Sequence, residues 1–167
     1  MEITMSSEHK FESQAIQSPR SNIDSFNEIT AKTFGILYAS FPVPTTLSLA
    51  NHYGIDNVAN IAKSLEHGLR PCKEEEAPAR LVEATICWLE DSGYLKIKLK
   101  NYPFKFEGVI LTAKGLEALQ AVPDSINSDK KSAGQILAEQ IKAGTGDYVR
   151  ETVKTVLSFG VKLAIGS

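Results

Sequence analysis

The chain has 167 residues, of which 43% are hydrophobic and 23% are charged. These proportions are ordinary for a globular protein and predict one compact domain with an appendage. Eighteen Lys and Arg against twenty Asp and Glu give a formal charge of −2, which excludes whole-chain polycation behaviour toward nucleic acids or anionic membranes. Any contact with phosphates therefore has to come from a local patch.

The cysteine content and the N-terminal residues favour a cytoplasmic protein. Two cysteines, Cys72 and Cys87, cannot form a disulfide-rich framework. Cys87 lies in an apolar helical run and is expected to pack in the core, while Cys72 is the alternative candidate for a reactive thiol. Residues 1–8 show neither the basic start nor the apolar stretch of a secretory signal, and no run approaches the roughly 20 apolar residues of a membrane span.

The first half of the chain predicts a flexible arm followed by helices. Residues 1–21 are polar and offer little apolar burial to offset the entropic cost of ordering. Apolar residues then recur at three- and four-residue intervals from Ile23, which predicts a helix that Ser21 or Asn22 caps and Pro42 ends. We expect short helices over residues 45–54 and over residues 56–68.

The second half predicts a helix, a hairpin and another helix. The apolar residues after Pro78, Trp88 among them, predict the buried face of a helix that Gly93 terminates. Apolar and cationic residues alternate over residues 94–100, which is typical of a strand with one buried face, and a returning strand follows with a bulge or kink at Gly108. Thr112 is expected to cap a helix that runs toward Pro123.

The last part of the chain predicts a linker and a helical tail. Residues 123–132 gather turn-forming and polar side chains without periodicity, which is typical of a linker. Residues 133–167 carry apolar residues at helical spacing and predict one or two amphipathic helices with a hinge at residues 144–146.

The order of elements and two motifs indicate a family. The stretch ATICWLEDSGYL at residues 84–95, followed by a hairpin and then LTAKGLE at residues 111–117, resembles the winged helix-turn-helix superfamily, most closely the MarR- and PadR-type regulators. In those families a helix ends in a similar glycine turn, a β-wing follows, and a Leu-Thr-x-x-Gly stretch enters the next helix. The resemblance covers residues 22–122. It implies a mainly α fold with a small antiparallel β-wing (α+β), here with C-terminal amphipathic helices.

The charges on the helix before the wing depart from the family pattern. Winged-helix regulators usually present cationic and amide side chains there, and these contact phosphates and base edges. Residues 73–91 instead carry six acids against two cations, Lys73 and Arg80. Because carboxylates repel phosphates, this helix is poorly suited to a duplex.

The wing itself argues for nucleic acid, because its lysines form a compact basic ribbon. The alternative is that these lysines only solvate an exposed strand and prevent edge-to-edge association. The candidate nucleic-acid-binding residues are Lys96, Lys98, Lys100, Lys105, Lys114 and Arg80.

No motif indicates catalysis, a metal or a cofactor. The histidines His9, His52 and His67 have no neighbour at a metal-ligand spacing. The acids at residues 74–76 lie in a loop without an apolar pocket that would change their acidity. We therefore expect a protein that is not an enzyme.

Several features predict contacts with another protein. Tyr102 at the hairpin tip has little protein to pack against, and the acids Glu83 and Glu90 lie where base-reading groups are expected. The tail offers an apolar stripe that could cover the domain itself, a second copy or another partner, and the resemblance favours a homodimer. Membrane-surface association ranks third. The tail residues expected at a partner are Val153, Val156, Leu157 and Val161.

Two functions remain open. The first is a protein-interaction or regulatory subunit that docks onto a larger assembly. The second is a dimeric DNA-binding transcription regulator that contacts phosphates through its basic wing. We favour the first, because carboxylates stand where base-reading groups are expected.

Overall fold

The computed structural model describes residues 21–52, 58–69, 73, 76–101, 104–121, 131–143 and 147–165. A single 3₁₀ turn, Leu49–His52, lies between the first strand and the second helix. In chain order the elements are α1 (Asn22–Ser40), β1 (Thr45–Ser48), α2 (Val58–Glu66), α3 (Ala77–Asp91), β2 (Leu95–Lys96), β3 (Leu99–Asn101), β4 (Lys105–Leu111), α4 (Ala113–Gln120), α5 (Ala133–Ala143) and α6 (Asp147–Ile165).

Helix α1 lies at the centre of the protein. The Ser21 hydroxyl caps it by accepting the Asp24 backbone N–H at 3.2 Å, and the helix ends before Pro42, as predicted. Buried residues occur on every side of its middle turns, because α3, α4, α5 and α6 and the sheet all pack against it. A helix that is buried all round in this way serves as the core element of a domain.

The segment after α1 corrects one prediction. A helix was expected over residues 45–54, but Thr45–Ser48 forms strand β1, with Thr45 opposite Val109 and Leu47 opposite Phe106 of β4. The prolines at 42 and 44 disfavour helical backbone in the residues before them, and β-branched threonines suit a strand. Pairing with the edge of β4 determines that residues 45–48 form a strand. The sequence pattern of these residues alone does not reveal this distant partner.

The small antiparallel sheet is built around β4. This strand pairs with β1 on one side and with β2 and β3 on the other. The bulge predicted at Gly108 is confirmed: the register against β1 shifts there, and Gly108 has a φ of +66°. A Cβ at this position would lie 2.7 Å from Cβ of Lys98, because Lys98 packs directly over the glycine. The single strand predicted over residues 94–100 divides here into β2 and β3.

Two local signals join the hairpin to its flanking helices as predicted. Gly93, at a φ of +78°, ends α3 with a Schellman motif in which its N–H bonds to Glu90 and the Tyr94 N–H bonds to Leu89. Thr112 begins α4 by accepting the Gly115 N–H at 3.0 Å. The Thr112 hydroxyl also donates to the Gly93 carbonyl at 2.6 Å, which fixes the end of α3 beside the start of α4.

The C-terminal helices belong to the same hydrophobic core as the rest of the chain. Helix α6 packs against α1, α4 and α5, and α5 packs against α1. Val153 and Val156 were expected to bind a partner, but both are fully buried within the chain. This part of the apolar stripe therefore covers the domain itself.

Some predictions concern residues outside the described ranges. These are the arm up to residue 20, Gly54, Cys72 with most of its loop, Tyr102 at the predicted hairpin tip, residues 123–130 of the predicted linker, and the predicted hinge at residues 144–146.

His52, the last residue of the 3₁₀ turn after β1, is a buried titratable group. Its Nδ1 donates to the Ser48 carbonyl at 3.2 Å, which leaves Nε2 to accept from the Thr33 hydroxyl, also at 3.2 Å. Burial, with a smaller contribution from the nearby Lys32 cation, lowers the pKa of His52 to about 4 against the opposing effect of the Ser48 hydrogen bond. The folded protein therefore holds this imidazole neutral.

We predict that acidification between about pH 6.5 and 4 destabilises the fold. The unfolded chain protonates His52 near pH 6.5 while the folded chain does not until about pH 4, so up to about 3 kcal/mol of unfolding free energy is lost as the pH falls through this window. Denaturant unfolding at several pH values should show a smaller loss for His52→Gln than for the wild type. His67→Gln, at an exposed position, is the control and should keep the wild-type dependence. Equal slopes for all three proteins would contradict the prediction.

Candidate functional site

The hairpin lysines do not all remain available to a ligand. The Lys100 ammonium lies 2.7 Å from a Glu90 carboxylate oxygen, and the hydrogen bond to Glu90 raises the pKa of Lys100. The Lys105 ammonium lies 2.7 Å from Glu107, and that hydrogen bond lowers the pKa of Glu107. Two of the predicted phosphate-binding cations are thus paired with carboxylates of the chain.

The two candidate cations outside the hairpin, Lys114 and Arg80, also form hydrogen bonds within the chain. Lys114 donates to the Ser92 carbonyl at the end of α3, at 2.8 Å, and its ammonium lies 4.4 Å from the centroid of the Tyr94 ring. Arg80 donates to Glu76, the residue immediately before α3, at 2.7 Å, although the Arg80 side chain remains 60% exposed. Lys114 therefore stabilises the α3 C-terminus, where the helix dipole favours a cation.

Lys96 and Lys98 are the hairpin cations that stay exposed and form no ion pair with another described residue. The predicted basic ribbon is consequently reduced to two adjacent lysines near the start of the hairpin. Leu99, expected on the buried face, is 51% exposed instead, because the strand divides at Lys98.

Glu90 serves the hairpin and not an external group. One of its carboxylate oxygens pairs with Lys100, and the other accepts the Ile97 backbone N–H at 3.1 Å. Glu83, two turns earlier on the same side of α3, is half-buried. Of the two predicted partner-binding acids, Glu90 is therefore already bound within the chain.

Cys87 lies between these charges. The Lys100 ammonium is 3.9 Å from its sulfur. Burial raises the pKa of the Cys87 thiol, the neighbouring carboxylates raise it further, and Lys100 lowers it. The thiol is half-buried and is not fully enclosed in the core as predicted. Its raised pKa keeps it in the unreactive protonated form.

The exposed aromatic residue of α3 is one that sequence reasoning missed. Trp88 was expected in the core, but 45% of it is exposed. Its ring meets Phe26 of α1 edge-on at 5.2 Å and stacks on Tyr94 at 6.5 Å. The helical spacing of the sequence could have indicated this exposure, because Trp88 shares a stripe with Arg80 and Ala84, opposite the buried residues of α3.

We define the α3 surface as the exposed stripe of this helix. Arg80 is the single cation in the sequence of α3, and it lies toward the opposite end of the stripe from Asp91. Trp88 is the large apolar side chain of the stripe. The members of the α3 surface are Ala77, Arg80, Ala84, Trp88 and Asp91.

A groove runs beside the α3 surface, between the first turns of α1 and α3. Its volume is about 490 Å³. The α1 wall carries Asn22 and Ser25, whereas the α3 wall is mainly apolar and includes Pro78, Leu81 and Ala84, with Arg80 at the edge. Apolar walls with a few polar groups at the rim are typical of a binding groove.

The remaining tail candidates, Leu157 and Val161, do not line this groove. Leu157 is partly buried against the core, and Val161 is 55% exposed on α6.

The described residues contain no group of three or more His, Cys, Asp or Glu side chains placed to hold a metal ion. Within the same ranges, no helix combines the length and the apolar character needed to cross a bilayer.

Comparison with known proteins gives no relative. No protein-family model, curated protein or solved structure matches the chain.

We predict that Lys100 tunes the acidity of Cys87. In a Cys72→Ser background, Lys100→Met should move the midpoint of the pH profile for iodoacetamide reaction upward, because a cation near the sulfur stabilises the thiolate. Lys96→Met removes the same charge from another hairpin position and should leave the midpoint unchanged. A midpoint that is unchanged or lower in Lys100→Met would contradict the Lys100–Cys87 contact.

Proposed function

We propose that this chain is a non-catalytic protein of the winged helix-turn-helix type that acts as a protein-interaction or regulatory subunit of a larger assembly. The order of α1, α2 and α3, followed by the antiparallel hairpin and α4, supports the resemblance stated above. The protein partner docks on the α3 surface.

The observation that carries this proposal is the exposure of Trp88 beside the apolar groove. Tryptophan is the residue type most enriched among those that dominate binding energy at protein interfaces, particularly where a well-packed pocket adjoins it. Phe26 and Tyr94 hold the indole from two directions. An anchor that is already ordered loses little conformational entropy on binding.

The charges around α3 support a protein partner over a polyanion. The helix carries Arg80 against Glu83, Glu90 and Asp91, and Arg80 and the hairpin residue Lys100 are each paired with a carboxylate. A duplex pressed against this helix would meet the carboxylates of Glu83 and Asp91, and the approach of a phosphate to each of them costs free energy. An aromatic anchor with one cation and one anion suits a folded protein surface.

We predict that capture of proteins from the host lysate depends on the α3 surface. The immobilised full chain should retain a defined set of proteins in near-stoichiometric amounts, and nuclease treatment should not release them. Ala84→Glu introduces bulk and charge at an exposed helical position without removing a core contact, and should reduce retention at least tenfold. Trp88→Ala should act in the same direction.

The control is Val161→Ala, which truncates an equally exposed apolar residue on α6 and should retain the same proteins as the wild type. Thermal unfolding of each variant checks that the fold is intact, particularly for Trp88→Ala, which loses contacts to Phe26 and Tyr94. Retention that Ala84→Glu leaves unchanged would remove the α3 surface from the proposal.

The second candidate function is DNA binding through the hairpin, and the exposed Lys96 and Lys98 favour it. Two lysine contacts would give a plot of log affinity against log salt with a slope of about −2, since each neutralised phosphate contributes about −0.9. Recognition by a full interface is steeper than this.

We predict weak binding to a random duplex at low salt, with a slope no steeper than about −2. Fluorescence anisotropy across a salt series measures it. The double variant Lys96→Ala and Lys98→Ala should flatten the slope nearly to zero, while Lys162→Ala on α6 should not change it. A markedly steeper slope that survives the double variant would favour the transcription-regulator function instead.

A further inference from the structure

The α3 surface has features that are complementary to one another. Its charged ends are opposite in sign, with Arg80 near one end and Asp91 near the other. Their separation of eleven positions in the sequence corresponds to about 16 Å along a helix. Arg80 is 60% exposed even though it pairs with Glu76, so its guanidinium has donors available for a second carboxylate.

A two-fold axis across α3 would bring these opposite ends together. In a symmetric dimer the same surface is used on both copies, and helices that face each other across the axis run antiparallel. With the axis between residues 84 and 87, Arg80 of each copy lies opposite Asp91 of the other. The same ion pair then forms twice, and each is an Arg–carboxylate contact of the kind that can be bidentate.

The aromatic residue and the groove match in the same arrangement. Trp88 of one copy faces the turn of the other that carries Arg80 and Ala84, which is the α3 wall of the groove. The groove of about 490 Å³ has room for an indole ring. The small side chain of Ala84 lets the helices approach, and the Arg80 guanidinium at the edge can stack on the indole face.

We infer that the α3 surface binds a second copy of this chain, in a two-fold symmetric dimer in which Trp88 of each copy enters the groove of the other and Arg80 pairs with Asp91 across the axis. The inference rests on the proposed function, since both use the α3 surface. It differs from a dimer built on the C-terminal stripe, because Val153 and Val156 are buried within the chain. Self-association would also regulate the proposed function, because a second copy covers the surface until another partner displaces it.

Charge reversal tests this arrangement without disturbing the core. Sedimentation equilibrium of the full chain measures the dimer dissociation constant for the wild type, Arg80→Glu, Asp91→Arg and the double variant. Each single reversal places like charges across the axis twice and should weaken the dimer at least tenfold, whereas the double variant restores both pairs and should return to within about threefold of the wild type. The wild-type dimer should weaken as salt is raised.

Val161→Glu on α6 is the control, and it should leave the dissociation constant unchanged. Trp88→Ala should give a monomer, and Ala84→Glu provides the same information without loss of the Phe26 contact. A wild type that is monomeric at several hundred micromolar would overturn the inference. So would a dimer that Val161→Glu dissociates, or one that the double reversal fails to restore.

The outcomes separate this inference from the proposed function. A monomeric wild type whose capture of host proteins still depends on Ala84 overturns the dimer and leaves the proposed function in place. A dimer that the double reversal restores, with capture of host proteins that Ala84→Glu does not alter, supports the dimer and removes the proposed function.

Discussion

The packing of Tyr94 is the constraint on which the remaining structure depends. This residue is fully buried, and its ring lies 5.7 Å from that of Phe34 on the central helix. Its hydroxyl donates to the Leu157 carbonyl of α6 at 3.0 Å, and its backbone carbonyl accepts the Thr112 N–H at 3.1 Å. This one residue, through its side chain and its backbone carbonyl, therefore connects the end of α3, the start of α4, the central helix and the C-terminal helix. Two glycines make this possible, because a Cβ at Gly115 would meet the Tyr94 carbonyl and one at Gly160 would meet its hydroxyl.

The orientation of the α3 surface follows from this packing. Trp88 stacks on the outer side of Tyr94, so the exposed indole rests on a residue that the core holds in place. Lys114 lies over the same ring while its ammonium donates to the Ser92 carbonyl at the end of α3. The aromatic anchor is thus part of a packed column and not a loose side chain on a helix. Such preorganisation is what allows a small surface to bind a partner with useful affinity.

The sequence predicted the features that depend on neighbouring residues and missed those that depend on distant ones. Ser21, Gly93 and Thr112 act through hydrogen bonds within a few residues, and their caps were predicted. Strand β1 was missed because its partner, β4, lies about sixty residues later in the chain. The exposure of Trp88 was missed for a related reason: hydrophobicity favours burial of a tryptophan, and only the packing of α1 and α3 leaves its outer face uncovered.

Pairing between Glu90 and Lys100 changes how the charges of the helix and hairpin should be interpreted. In the sequence, acids on one element and lysines on the next suggest two opposing surfaces, one that repels a polyanion and one that attracts it. In the structure Glu90 binds both the Lys100 ammonium and the Ile97 backbone, so part of each charge cancels the other while it fixes the hairpin against α3. The shape of the α3 surface is therefore a more distinctive feature than its charge. What remains is an ordered indole, a groove of about 490 Å³ beside it, and one cation and one anion spaced along a helix, and these features support the protein partner proposed above.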